Sequence, residues 1–299
     1  MEPRARHRLR PLALLPAAAV LVSACKLYLP GTEDSEGDTG VRFLIAPTPH
    51  AAVRDLELPV EAVELERSDG EEHRIDFEAP VTVSFAADLD AGFLDTEVFA
   101  SESLPVGEYR RLTLRVDADA VFFVPADTGQ AEALVLPGDG RLNYESEFQL
   151  EAGDDETLVL QPDLHSGLSF DGNEFSLGTS HIITTTARSG GLSFLDLPAC
   201  PEPGVYLFEG FDQDPVDLGD GDGPFFSLWL EEAGTSLADV RYVPSGKYSV
   251  IPACNVGTEN LGSGDGTEFR EDDAVNVEVE DEMCITVEFG SGAGSAEQC

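Results

Sequence analysis

Apolar and polar residues alternate with a period close to two along most of this chain. Between residues 41 and 185 this pattern runs through VRFLIAP (41–47), VEAVELE (60–66), VTVSFA (81–86), RLTLRV (111–116), TLVLQPD (157–163) and EFSLGTSHIITT (174–185). A second set follows in GVYLFEGF (204–211), FFSLWLEE (225–232), YSVIPAC (248–254), VNVEVE (275–280) and CITVEFG (284–290). Successive side chains of a strand point to opposite faces, so each run predicts a strand with one face on a core. Gly, Pro and Asp punctuate the runs, as in Ser68-Asp69-Gly70 and Asp139-Gly140, where a tight reversal needs permissive backbone. Helical periodicity is weak. Its best stretch, DLDAGFLDTEVFA (88–100), predicts at most a turn or two of helix or a covering loop. Many short strands at this spacing predict an all-β protein of two tandem antiparallel β-sandwiches, over 41–190 and 196–299. The Gly- and Pro-bearing stretch SGGLSFLDLPACPEPG reads as their junction.

One short motif occurs twice. Pro105-Val106-Gly107-Glu108-Tyr109 and Pro244-Ser245-Gly246-Lys247-Tyr248 each follow an apolar residue and lead into an alternating strand. Proline pre-sets φ for a turn, glycine supplies freedom at its later position, and tyrosine starts the next strand with a large ring. The pair resembles the turn of transthyretin-like and Cna-B-like sandwiches, which implies equivalent turns in two domains of that style.

The N-terminus carries a different message. Arg4, Arg6, Arg8 and Arg10 precede LALLPAAAVLV, an apolar run well short of the roughly 20 residues that cross a bilayer as a helix. This is the order of a secretory signal peptide over residues 1–24. The junction Val22-Ser23-Ala24-Cys25 resembles a bacterial lipobox, which implies cleavage before Cys25 and attachment of fatty acyl (palmitate) chains to it. Such chains anchor a protein at a membrane. Lys26 beside the lipidated cysteine points to the outer membrane, and residues 25–40, rich in Gly, Asp and Glu, read as a flexible tether.

The order of VRFLIAPTP, SLPVGEYRRLTLRV, LVLP, LVLQPDLHSGLSF and FSLGTSHIITT over residues 41–187 resembles domain of unknown function family 4382, found in bacterial envelope lipoproteins. The second half is similar to the C-terminal part of marine proteobacterial members. The family implies an envelope location and no known activity.

Charge narrows the partners. The chain has 58 Asp and Glu against 17 Lys and Arg, a formal charge of −41. Removing residues 1–24 takes away four Arg and one Glu, a net +3, and leaves −44. A surface of this sign repels phosphate backbones and anionic headgroups, so nucleic acid is excluded as a partner and the lipid is left as the membrane attachment.

With Cys25 lipidated, Cys200, Cys254, Cys284 and Cys299 remain, an even number in an oxidising compartment, and three connectivities are open. The resemblance implies Cys200 with Cys254, since cysteines like these recur together in the similar proteins, and Cys284 with Cys299 as the other pair.

The loop DQDPVDLGDGDG (212–223) offers Asp212, Asp214, Asp217, Asp220 and Asp222, hard oxygen ligands of the kind calcium takes, without the glycine spacing of an EF-hand. The alternative is a solvated acidic loop. His165-Ser166 suggests a nucleophile, yet there is no GxSxG elbow, no HExxH and no Walker or Rossmann glycine pattern. Phe225, Phe226 and Trp229 read as a buried strand rather than a sugar platform.

The function expected is therefore a lipid-anchored envelope protein that is not an enzyme, a binding or scaffolding module toward a glycan or another envelope protein. Two alternatives are a periplasmic enzyme-accessory domain or weak hydrolase around His165, and a structural spacer.

Overall fold

The computed structural model describes residues 37–86, 95–152, 155–170, 174–216, 223–230, 238–258, 266–289 and 293–298. All of them fall within one compact unit. The described residues are nearly all β, with a single four-residue α-turn at Leu164–Gly167 and a few short 3-10 turns. No helix among the described residues is long and apolar enough to cross a membrane.

The strands form five small sheets. Sheet I orders His181–Thr185, Glu156–Pro162, Asp38–Ile45 and Thr96–Pro105. Sheet II orders Glu72–Ser84, Val53–Arg67, Gly107–Val116 and Arg141–Leu150, with Phe122–Pro125 also on Val53–Arg67. Sheet III joins Leu168–Phe170, Phe175–Leu177 and Leu134–Val135. Sheet IV orders Ala238–Pro244, Ser189–Leu195, Met283–Glu288 and Ala293–Gln298. Sheet V orders Phe226–Trp229, Gly204–Glu209, Gly246–Cys254 and Glu268–Phe269, with Val275–Val279 on Gly246–Cys254.

This corrects the expectation of two tandem antiparallel β-sandwiches. Five small sheets are the units of the fold, and pairing is not antiparallel throughout. Asp38–Ile45 runs parallel to Glu156–Pro162, with Val41 opposite Glu156, and Ser189–Leu195 runs parallel to Met283–Glu288, with Gly191 opposite Cys284. Period-two alternation marks which residues face a core, but it carries no information on a strand's partner or direction. The stretch read as a junction supplies Ser189–Leu195, a central strand of sheet IV. Within the stretch read as helix or loop, Thr96 begins a strand, and residues 88–94 lie outside the described residues.

The pairing scheme is nevertheless written twice. In the first half, Asp38–Ile45 lies between antiparallel Thr96–Pro105 and parallel Glu156–Pro162, and Val53–Arg67 pairs with Gly107–Val116, which pairs with Arg141–Leu150. In the second, Ser189–Leu195 lies between antiparallel Ala238–Pro244 and parallel Met283–Glu288, and Gly204–Glu209 pairs with Gly246–Cys254, which pairs with Val275–Val279.

The repeated Pro-x-Gly-x-Tyr motif sits at the same place in both schemes. It carries the chain from sheet I to sheet II across Val106, and from sheet IV to sheet V across Ser245. The Tyr109 hydroxyl donates to the carbonyl of Pro105 at 2.7 Å, and that of Tyr248 to the carbonyl of Pro244 at 2.9 Å. Each ring thus ties the end of one strand to the start of the next. Gly107 has φ +146, a backbone conformation that side chains with a Cβ rarely adopt, so the first copy needs its glycine.

One apolar cluster of 30 buried residues gathers side chains of sheets I and II with Leu177 of sheet III, among them Phe43, Leu58, Leu65, Tyr109, Leu114 and Leu160. A second, of 19, gathers sheets IV and V, and Ile182 of sheet I belongs to it. Strand Gly204–Glu209 is buried on both faces: Val205 and Leu207 join the second cluster, while Tyr206 and Phe208 join a third with Ile251 and Val256. A strand covered on both sides reads as a continuous apolar run, which is what GVYLF is.

Candidate functional site

Two features hold the polar side chains of interest. One is a groove and the other a buried node.

The groove has a volume of about 720 Å³. One wall is Arg141–Leu150, the terminal strand of sheet II, and the opposite wall is His181–Thr185, the terminal strand of sheet I. Phe225, Pro244, Ser245 and Asp281 of the second half close one end. A terminal strand presents main-chain N–H and C=O groups that no neighbouring strand uses. The His181 ring hydrogen-bonds the main chain of Glu145 and the carbonyl of Thr179, so it spans the two walls where they approach. Burial lowers the pKa of His181, against the pull of the Thr179 carbonyl.

Charge in the groove is one-sided. Glu108, Glu145, Glu147 and Asp281 line it and are exposed, and Arg188 is its only Arg or Lys. Arg188 is paired with Glu151, and Glu145 with Arg111 at 3.4 Å. Glu108 and Glu147 take part in no ion pair among the described residues. Beneath them Tyr109 stacks on Phe148, centroids 5.3 Å apart, so the floor is aromatic.

The node lies where the two halves meet. Asp163 caps the Leu164–Gly167 turn, accepting from the Ser166 N–H at 3.0 Å and the Ser166 hydroxyl at 2.6 Å. From the second half, Ser227 donates its N–H to the same carboxylate at 2.9 Å and its hydroxyl at 3.1 Å. Burial raises the pKa of Asp163, and the hydrogen bonds from Ser166, the nearby His165 and the Ser227 N–H pull it back down. The His165 ring reaches the Tyr206 hydroxyl at 3.0 Å. His50 lies edge-on to Trp229 with centroids 5.2 Å apart and 6.0 Å from His165, and the Ala51 N–H donates to the Trp229 carbonyl. Burial, with a smaller contribution from His165, lowers the pKa of His50 from 6.5 to about 3.

Serine, histidine and aspartate do meet here, and their geometry is that of a clasp. The Ser166 hydroxyl donates its hydrogen bond directly to the Asp163 carboxylate, whereas catalysis by such a group places a histidine between them. The acid that the sequence did not identify is Asp163, two residues before His165. The Asp-x-x-Ser spacing of an N-cap was the signal that could have found it.

The remaining residues singled out from sequence divide as follows. Cys200 and Cys254 form a disulfide, Cα atoms 5.8 Å apart, and Cys284 is also disulfide-bonded. Cys25 and Cys299 lie outside the described residues. Asp212 and Asp214 are exposed, with Asp212 accepting from the Asn276 amide at 2.6 Å; Asp217, Asp220 and Asp222 lie outside the described residues. Among the described residues no group of three or more His, Cys, Asp or Glu is placed to hold a metal ion. Phe226 is buried, Trp229 is half-buried under His50, and Phe225 borders the groove.

No family model matches the chain, and no curated protein matches it. Among solved structures it is similar to a protein from Bacteroides eggerthii, described provisionally as a cell adhesion protein, at 10% identity and TM-score 0.20 over 86% of this chain and 87% of that one. A protein of Parabacteroides distasonis with the same provisional description gives 9% identity and TM-score 0.22 over 87% and 98%. A protein from Eubacterium rectale solved by NMR gives 12% identity and TM-score 0.15 over 49% and 92%. Likeness at this level carries no argument about what the chain does.

Proposed function

We propose that this is a lipid-anchored protein of the bacterial outer membrane, of the kind resembled by domain of unknown function family 4382, and that it acts as a non-enzymatic binding or scaffolding module for another envelope protein. The observation that carries the binding role is the groove between the terminal strands of sheets I and II, a concave surface whose walls offer unused main-chain groups and whose exposed carboxylates outnumber its cations. A protein partner suits it better than a glycan. Sugar sites lean on open aromatic faces, and here Tyr109 and Phe148 lie against each other while Trp229 is held under His50. The anchor rests on the Val22-Ser23-Ala24-Cys25 junction behind its arginines and apolar run.

Site-specific photo-crosslinking in intact cells tests the module. A crosslinker at Gln149, in the groove, is expected to give discrete protein adducts, and one at exposed Asp119, outside it, is not. Equal labelling from both positions, or none from Gln149, overturns the groove as the binding site. Cys25→Ala is expected to move the protein from the membrane to the soluble fraction; unchanged membrane association removes the anchor.

A further inference from the structure

We infer that the groove takes an extended segment of a partner protein as an added strand on the free edge of Arg141–Leu150, and that the segment alternates cationic with apolar residues. The inference rests on the proposed binding role and goes further by naming the partner's backbone and its side-chain pattern.

Among the described residues no strand pairs on this edge, and its pattern is readable. Arg141–Leu150 pairs with Gly107–Val116 on one side and ends sheet II on the other. Beyond Glu145, whose main chain His181 already engages, the strand continues through Ser146, Glu147, Phe148, Gln149 and Leu150 along the groove. Exposed chain alternates with covered chain here, across a register shift between Glu145 and Phe148: Glu145, Glu147 and Gln149 stand out, while Phe148 and Leu150 turn in. A strand laid alongside would set every second side chain directly opposite or diagonal to those carboxylates. Opposite charges in such cross-strand positions stabilise and like charges repel. Lysine or arginine is therefore favoured at alternate places. The residues between them fall beside Phe148 and Ser146, over the Tyr109–Phe148 stack, where apolar side chains lose least. Glu108, on the neighbouring strand, adds a further carboxylate with no ion pair among the described residues.

A second copy of this chain is a poor occupant. It would bring Glu145 and Glu147 against themselves, in a protein of net charge −41. A basic segment meets the reverse field, and its attachment is steered by charge and weakened by salt.

The experiment uses the mature full-length protein and three blocked peptides: one alternating lysine and valine, one with glutamate for every lysine, and the lysine peptide N-methylated on alternate residues. Affinity is read by fluorescence anisotropy and location by amide hydrogen exchange. The lysine peptide is expected to bind, to slow exchange at residues 145–149, and to weaken from low to molar salt. Glu108→Gln with Glu147→Gln is expected to weaken it roughly three- to tenfold. The other two peptides are expected not to bind. Equal binding of the N-methylated peptide overturns strand addition, as do protection elsewhere and failure of the lysine peptide to bind. Self-association blocked by an edge substitution such as Glu147→Pro overturns it in favour of a second copy. If the peptides fail while Gln149 still crosslinks a partner, only this inference falls; if Gln149 captures nothing, the binding role falls with it.

Discussion

The two halves of the molecule follow one pairing scheme and hold it together by different means. The first half closes over a cluster of 30 buried apolar residues and contains no cysteine among those described. On its outer face Glu64 sits among three guanidinium groups, Arg74, Arg115 and Arg141, at 2.8 to 2.9 Å. The second half has 19 residues in its main cluster, and it carries the Cys200–Cys254 disulfide and the bonded Cys284. Covalent links restrict the unfolded chain and add to what burial supplies. Among the described residues one topology is thus held by burial without cysteines in one half and by burial with a cross-link in the other, and the difference yields measurable contrasts.

The largest effect is expected at the joint between the halves. His50 titrates near 6.5 when unfolded and about 3 when folded. Above 6.5 both states are neutral; below it only the unfolded state takes the proton, so stability falls as pH drops through this window. The full loss is roughly 4–5 kcal/mol across it. Urea denaturation at neutral pH and near pH 4 should show a much flatter dependence for His50→Gln than for the parent. Parallel curves would mean that the joint does not depend on a neutral His50. Asp163, whose pKa is raised by burial, acts in the opposite direction, which is why the variant and not the raw profile is the test.

Next comes the cross-link. Cys200 and Cys254 are 54 residues apart, and opening a loop of that length costs about 4 kcal/mol in the chain-entropy treatment. Cys200→Ser with Cys254→Ser should make the second half the first to be cleaved in limited proteolysis. Cleavage beginning in the first half would reverse the assignment of which half needs the staple.

Smaller and equal effects are expected from the shared motif. Tyr109→Phe and Tyr248→Phe each remove one hydroxyl donated to a proline carbonyl, and each should cost about 1 kcal/mol in chemical denaturation. Burial pushes the Tyr109 phenol up to about 12, so the bond survives moderately alkaline pH. Unequal losses would mean that the two turns have different jobs. The smallest effect is expected for Glu64→Gln, about 1 kcal/mol or less, decreasing with added salt. Among the described residues of the second half it has no counterpart, and there Arg241 pairs across to Asp95.

Strand positions and the duplicated turn were legible because both are local: alternation shows which side of VRFLIAP or VNVEVE faces inward, and Pro-x-Gly-x-Tyr spans five residues. Sheet membership was not legible. Nothing in SGGLSFL says that it lies between Ala238–Pro244 and Met283–Glu288, because backbone pairing is indifferent to most side chains. The groove was hidden for the same reason, being made by the edge strands of two sheets. The node was half legible: the Asp163–Ser166 cap is local, whereas the Ser227 contact that joins it to the second half lies 64 residues away.

The parallel pairing of Asp38–Ile45 with Glu156–Pro162 also sets a schedule for folding. Val41 waits for Glu156, 115 positions later, and Gly191 waits for Cys284, 93 later. Closing contacts over such separations is slow, because the loop must be confined before the contact repays it. A chain delivered from its N-terminus therefore keeps one side of its first strand bare until more than half its length has arrived. During that interval the strand edge is the part of the molecule most open to mispairing, and the part on which a holding factor would act.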